Sequence, residues 1–93
     1  MNVRQFQAFT KIADNHSFSR TAAELHLAQP TVSACIAGFE GELGVRLFVR
    51  TTKSVELTKE GEKLLPYARE LLGLAEEIQD LFREGTVIGR CTC

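Results

Sequence analysis

The stretch "SFSRTAAELHLAQPTVSACIAGFEGELG", residues 17–44, decides the fold. Ser17 can cap a helix, because its hydroxyl can accept from a free amide of the first turn, and Phe18, Ala22 and Leu25 follow as that helix's buried face. The helix is short and ends near His26. "HLA" leaves a three-residue connection with Leu27 as an inward plug, and two helices joined that tightly must cross at a steep angle. In the next run Val32, Ile36, Phe39 and Leu43 share one face. Pro30 falls in its first turn, where a missing N–H costs no helical bond, and Gly44 ends it.

On either side the periodicity continues and then changes. Over residues 3–14, Phe6, Phe9 and Ala13 form an amphipathic stripe flanked by Val3 and Ile12, and "DNHS" breaks it. Over residues 45–58, Leu47, Phe48 and Val49 suit a strand, and Val55 and Leu57 alternate with Ser54 and Glu56 across the polar turn "TTKS". A two-stranded hairpin there is marginal alone and needs the helices. Thr58 then caps a long helix over residues 59–85, closed by Gly85. Its residues Leu64, Ala68, Leu71, Ala75, Ile78 and Phe82 step by four, three, four, three and four, as in a heptad seam, and Leu65, Leu72, Leu74 and Leu81 widen it. Pro66 removes one bond inside this helix and predicts a kink.

The predicted fold class is mainly α: a winged helix-turn-helix of three helices plus a two-stranded wing, followed by a long linker helix. Residues 1–58 form the winged helix-turn-helix unit, with the helix-turn-helix at about 18–37 and the wing at about 46–57. A linker helix of about 26 residues is some 39 Å long, more than a 58-residue domain can cover. The surplus predicts a homodimer through Leu64, Leu65, Ala68, Leu71, Leu72, Ala75, Ile78 and Phe82, with two-fold symmetry as the default. "TVIGRCTC", residues 86–93, reads as the truncated start of a further domain.

Composition bounds the function. A chain of 93 residues with 44% hydrophobic and 25% charged residues is an ordinary globular domain, too small to stabilise itself with a large margin. The first residues hold no apolar run long enough for a signal peptide or membrane span, so the expected location is cytoplasmic. Three cysteines in such a chain do not make a disulfide framework. The net charge of -1 argues against holding nucleic acid by charge alone. Residues 1–58 carry six Lys or Arg against five Asp or Glu, and residues 59–93 five against seven, so any DNA contact belongs to the first part.

In a helix-turn-helix the second helix of the pair enters the major groove with its N-terminal residues at the base edges. That accounts for the uncharged helix mouth "QPTVS": small donors approach phosphates closely and share them with the free amides of the first turn. Gln29 has the geometry for a bidentate contact to adenine, and Pro30 or the Thr31 methyl can touch a thymine methyl. Nothing in the chain supplies a nucleophile with a base, a carboxylate pair in a cleft motif or a phosphate-cradling Gly loop, so no enzyme and no cofactor are expected in this fragment. Cys91 and Cys93 lack the second pair a metal site needs, and Cys35, beside Val32, Ile36 and Phe39, reads as a small buried hydrophobe.

The run from "SFSRTAAELHLAQPTVS" through "LGVRLFVR" to "LTKEG" resembles the N-terminal DNA-binding domain of LysR-type transcriptional regulators, over residues 3 to about 84. The resemblance implies sequence-specific binding of double-stranded DNA and regulation of transcription, with a dimer reading an interrupted inverted repeat. It implies that Gln29 reads a base, Pro30 lines the groove, Thr31 and Ser33 hold phosphates, and Arg50 and Lys53 act from the wing, Lys53 near the minor groove. Ala34 belongs to the same DNA-facing set, where relatives often carry Arg, and Cys35 stands where they often carry Gln or His, so the recognition helix has fewer long arms. Arg50 has a structural alternative, an anchor to Glu40 or Glu42. Full-length relatives continue into an effector-binding domain, so a small-molecule effector and any higher oligomer belong to the missing part. The competing reading is a protein-interaction adaptor that uses the same helices and the dimerising long helix.

Overall fold

A computed structural model describes residues 1–83, and the expectations for Gly85 and residues 86–93 lie outside them. Four helices and one hairpin follow in the order α1 (Val3–Asn15), α2 (Phe18–Leu25), α3 (Gln29–Leu43), β1 (Phe48–Arg50), β2 (Val55–Leu57) and α4 (Lys59–Arg83). This is the winged helix-turn-helix with a long C-terminal helix that the periodicities predict.

Local chemistry sets each boundary. Asn2 and Gln5 cap α1 reciprocally, each side chain meeting the other's backbone N–H at 3.0 Å. His16 turns the chain out of α1 at φ 57°, and Ser17 caps α2 by accepting from the Arg20 amide at 3.0 Å. At the other end of α2, His26 takes φ 60°, while the Leu27 amide donates to Ala22 at 2.8 Å and the His26 amide to Ala23 at 3.2 Å. That pair of bonds satisfies the last carbonyls and sends the chain sharply into α3 within three residues, with Leu27 packed on the core. Histidine is among the few side chains that tolerate this left-handed conformation.

The core is largely a chain of phenylalanine rings. Phe6 and Phe39 lie 4.9 Å apart, Phe9 and Phe39 6.3 Å, Phe9 and Phe48 5.4 Å, and Phe18 and Phe48 6.1 Å. Mostly edge-to-face, these contacts join α1, α3, the wing and α2 in one path. Ile12, Val32, Ile36 and Leu47 fill the space around them. Two expectations need correction. Ile12 is fully buried rather than flanking the α1 stripe, and Leu43 is 36% exposed rather than on the buried face of α3. Leu43 is the last helical residue, and Gly44 at φ 74° turns the chain away beyond it.

The hairpin pairs Phe48 with Leu57, Val49 with Glu56 and Arg50 with Val55. Too short to stand alone, it is tied down at three points. The Glu40 carboxylate accepts from the amides of Leu47 and Phe48 at 2.7 and 3.3 Å, and Arg46 lies 3.7 Å from it. The Val55 carbonyl lies 3.0 Å from Nδ1 of His16. Thr58 does double duty, donating its hydroxyl proton to the Arg46 carbonyl at 2.6 Å and accepting from the Gly61 amide at 3.0 Å as the cap of α4. Gly61 is buried there, and the position has no room for a side chain, since a Cβ would lie 2.4 Å from the Leu47 carbonyl oxygen. The "LTKEG" motif thus fastens wing and linker helix together.

Helix α4 runs continuously through Pro66, so the missing N–H does not end it. It packs on α1, where Arg69 pairs with Asp14 at 2.8 Å. The predicted dimer seam divides here. Ala68 is completely buried within its own domain, and Leu64, Leu65 and Leu72 pack against the same core. Ala75 is half-buried and lines a groove with Leu72, Val3 and Gln7. Of the predicted interface, Leu71, Ile78 and Phe82 lie on the outer face, 37%, 57% and 67% exposed, joined by Tyr67, Leu74 and Leu81. Tyr67, Leu71, Leu74, Ile78 and Leu81 step by four, three, four and three, which is itself a heptad seam, rotated from the predicted one.

Candidate nucleic-acid interface

The N-terminal turns of α2 and α3 and the end of β1 come together on one side of the molecule. The α3 mouth carries Gln29, Pro30, Thr31 and Ala34 exposed, with Ser33 half-buried beside them. Its N-cap, Ala28, offers no side-chain bond. Pro30 has no N–H, and the amides of Thr31 and Val32 both turn back to the Ala28 carbonyl, at 3.0 and 3.2 Å. The free amides at this mouth are therefore those of Ala28 and Gln29, fewer than a helix start usually offers. Side chains have to supply more of any phosphate contact than the helix dipole does.

Two side-chain contacts organise the mouth. Ser19, in the first turn of α2, donates its hydroxyl proton to Oε1 of Gln29 at 2.9 Å. Arg50, at the end of β1, donates to the Ser33 hydroxyl at 3.3 Å, and its guanidinium carbon sits 4.1 Å from the centre of the Phe18 ring. The structural alternative for Arg50 is thereby corrected: Glu40 takes Arg46, and Glu42 takes the N-terminal ammonium at 2.8 Å. Arg50 meets a hydroxyl and a ring instead, neither of which neutralises its charge. A cation placed this way is oriented yet still available to an anion.

Lys53 stands apart from this cluster, exposed in the turn at the tip of the wing. Thr51 shapes that turn: its hydroxyl donates to the Ser54 carbonyl at 2.9 Å and accepts from the amides of Lys53 and Ser54 at 3.2 and 2.9 Å. Cys35, one turn along α3, is half-buried against the core, and burial pushes its thiol up while Arg4 pulls weakly the other way. That is the environment of a packing cysteine rather than a reactive one.

Sequence reasoning missed Ser19 and Phe18 as parts of this site. A signal for Ser19 was present, since a helix-turn-helix brings the starts of its two helices to one face and Ser19 is a small donor in the first turn of α2. Nothing local marks Phe18 as the shelf for a cation 32 residues on.

Known proteins match this arrangement. The profile described as "Bacterial regulatory helix-turn-helix protein, lysR family" covers residues 3–62. An uncharacterized HTH-type transcriptional regulator of the ibpB-leuC intergenic region of Azotobacter vinelandii is 40% identical, over 99% of this chain and 65% of its own length. The nitrogen assimilation regulatory protein nac of Klebsiella aerogenes is 39% identical, over 85% of this chain and 26% of its own length. Among solved structures, a complex of the CbnR DNA-binding domain with DNA superposes with a TM-score of 0.81 at 34% identity, covering 86% of this chain and 92% of that one. A BenM DNA-binding domain on the catB site 1 DNA gives 0.83 at 32% identity, covering 87% and 90%. The chain spans from about a quarter to about two thirds of the length of the curated relatives named here. On this evidence the chain belongs to the lysR family of bacterial regulatory helix-turn-helix proteins.

Proposed function

We propose that this chain binds double-stranded DNA sequence-specifically, as a homodimer, and regulates transcription. The observation that carries the reading is the α3 mouth: an exposed amide side chain at its first position, small groups behind it, and an oriented but unneutralised arginine beside them. Placed in a major groove, Gln29 reads an adenine edge, Pro30 and the Thr31 methyl meet a thymine methyl, and Ala34 leaves room on the next turn. Ser33 and Arg50 together hold one phosphate, Thr31 a neighbouring one, and Lys53 reaches the flanking backbone or minor groove from the wing. No catalytic role is assigned, in keeping with relatives named as regulators. The site of action is the cytoplasm, and no helix among the described residues is long and apolar enough to cross a membrane.

The homodimer reading rests on the outer stripe of α4. Five large side chains at heptad spacing, each at least 37% exposed, are an unpaired surface whose natural complement is the same stripe on a second copy. A two-fold axis through that contact presents two α3 mouths to two half-sites, which calls for an interrupted inverted repeat in the DNA. An effector and higher assembly belong to the portion of relatives that this chain does not span.

A salt titration of binding to duplex DNA tests the function. The reading predicts affinity that rises steeply as salt falls, with a residual preference among sequences. Absence of binding at low salt would defeat it and leave the adaptor reading standing.

A further inference from the structure

We infer that Ser19 is a positioning residue that sets the base preference of Gln29. The inference rests on the reading of Gln29 as a base reader and adds to it the device that aims the side chain. Gln29 is exposed and has three side-chain torsions, so an unheld glutamine at a helix mouth samples many orientations and presents no fixed pattern to a base. Ser19 removes most of that freedom. It stands on a different helix, in the first turn of α2, and donates to Oε1 of Gln29 at 2.9 Å, well inside hydrogen-bonding range.

The valence left over decides the chemistry. A carboxamide oxygen has two lone pairs and its nitrogen two protons. With one lone pair taken by Ser19, Gln29 retains one acceptor and two donors, side by side. That remainder matches the adenine edge in the major groove, where N6–H donates and N7 accepts. Guanine presents two acceptors there, O6 and N7, and a carboxamide fixed by its oxygen meets only one of them well. A free glutamine can swing its NH2 group toward either, and so discriminates less. The bond between Ser19 and Gln29 thus fixes which end of the amide faces which way before DNA arrives, and ordering that would otherwise oppose binding is already in place.

A purely structural role for Ser19 is disfavoured by its position. The cap of α2 is Ser17, which bonds the Arg20 amide at 3.0 Å, and the buried hydroxyl of this helix is Thr21, held by Asn15 at 3.2 Å. Ser19 is exposed, and its hydroxyl is turned across the gap to α3.

The test is binding-site selection followed by affinity measurement on the selected duplex and on its three variants at the Gln29-read base, for the parent chain, Ser19→Ala, Ser19→Thr, Gln29→Ala and the double variant. The inference expects Ser19→Ala to lose about three- to tenfold in affinity for the adenine-containing duplex, with smaller losses on the other three. Ser19→Thr, which keeps the hydroxyl, restores the preference, and Ser19→Ala has no further effect on it once Gln29 is alanine. The melting temperature of Ser19→Ala stays at the parent value, since its hydroxyl is exposed and caps no helix. If Gln29→Ala itself leaves the preference intact, the base-reader assignment fails and the inference with it. If Gln29→Ala flattens the preference while Ser19→Ala weakens all duplexes equally or changes nothing, the base reader stands and the role of Ser19 is overturned.

Discussion

Helices α3 and α4 each carry an apolar stripe, and the two have different fates. On α3, Val32, Ile36 and Phe39 are consumed within the chain, and what the N-terminal half leaves on the outside is Gln29, Pro30, Thr31 and Ala34, all uncharged. On α4 there are two stripes. Leu64, Ala68 and Leu72 complete the domain core, whereas Tyr67, Leu71, Leu74, Ile78 and Leu81 stay in solvent. Both helices bury one side, so the difference lies in the other side: α3 faces outward with hydrogen-bonding groups suited to a polar surface, and α4 with hydrocarbon suited to another protein. That contrast is the physical basis for giving DNA to one helix and a second copy of the chain to the other.

The contrast can be broken first at the shared core. Phe39→Ala removes the ring that links Phe6 and Phe9, at a cost of about 3–5 kcal/mol, and urea denaturation should find the domain largely unfolded. At the next level, Leu74→Glu combined with Ile78→Glu should abolish dimers in sedimentation velocity while leaving the helical circular dichroism intact, because these side chains lie outside the core. Ala68→Glu should behave oppositely and unfold the domain, since that position has no exposure to give. A dimer that survives the first pair of changes would place the interface elsewhere.

Smaller effects separate the wing from the helix it is tied to. Gly61→Ala forces a Cβ to within 2.4 Å of the Leu47 carbonyl oxygen, and the strain should cost about 1–3 kcal/mol in thermal denaturation. Arg50→Ala should weaken binding about equally on all duplexes and lower the salt slope by about one, the signature of a phosphate contact. A change of base preference instead would move Arg50 into base reading. Cys35→Ala should be the mildest, costing about 1 kcal/mol of stability and leaving DNA affinity unchanged with or without oxidant, as suits a packed thiol.

Local chemistry made most of the fold legible in the sequence. Ser17 and Thr58 are caps whose reading needs only the residues three positions on, and the end of α2 near His26 follows from the loss of period between Leu25 and Gln29. The register that the sequence left open is the one along α4, where two faces of one helix compete. Along α4 a seam through Ala68 and Ala75 and a seam through Tyr67, Leu74 and Leu81 have equal heptad spacing, and the sequence holds no local reason to prefer either. Packing against α1 decides it, because small Ala68 lets the backbones approach and the large residues are left outside. The same limit hid the partners of Arg50 and Gln29. A hydrogen bond between residues 10 or 17 positions apart depends on how two helices and a strand are set, and periodicity does not carry that information.

The central claim is that two α3 mouths, joined through α4, read an inverted repeat. Its most direct test compares affinity and stoichiometry on a selected inverted repeat with those on the same duplex after one half-site is scrambled, using sedimentation and fluorescence anisotropy. The account predicts two chains per intact duplex and a loss of at least tenfold in affinity on the scrambled one, with Leu74→Glu, Ile78→Glu binding both duplexes equally weakly. Equal affinity of the parent chain for intact and scrambled sites would contradict it.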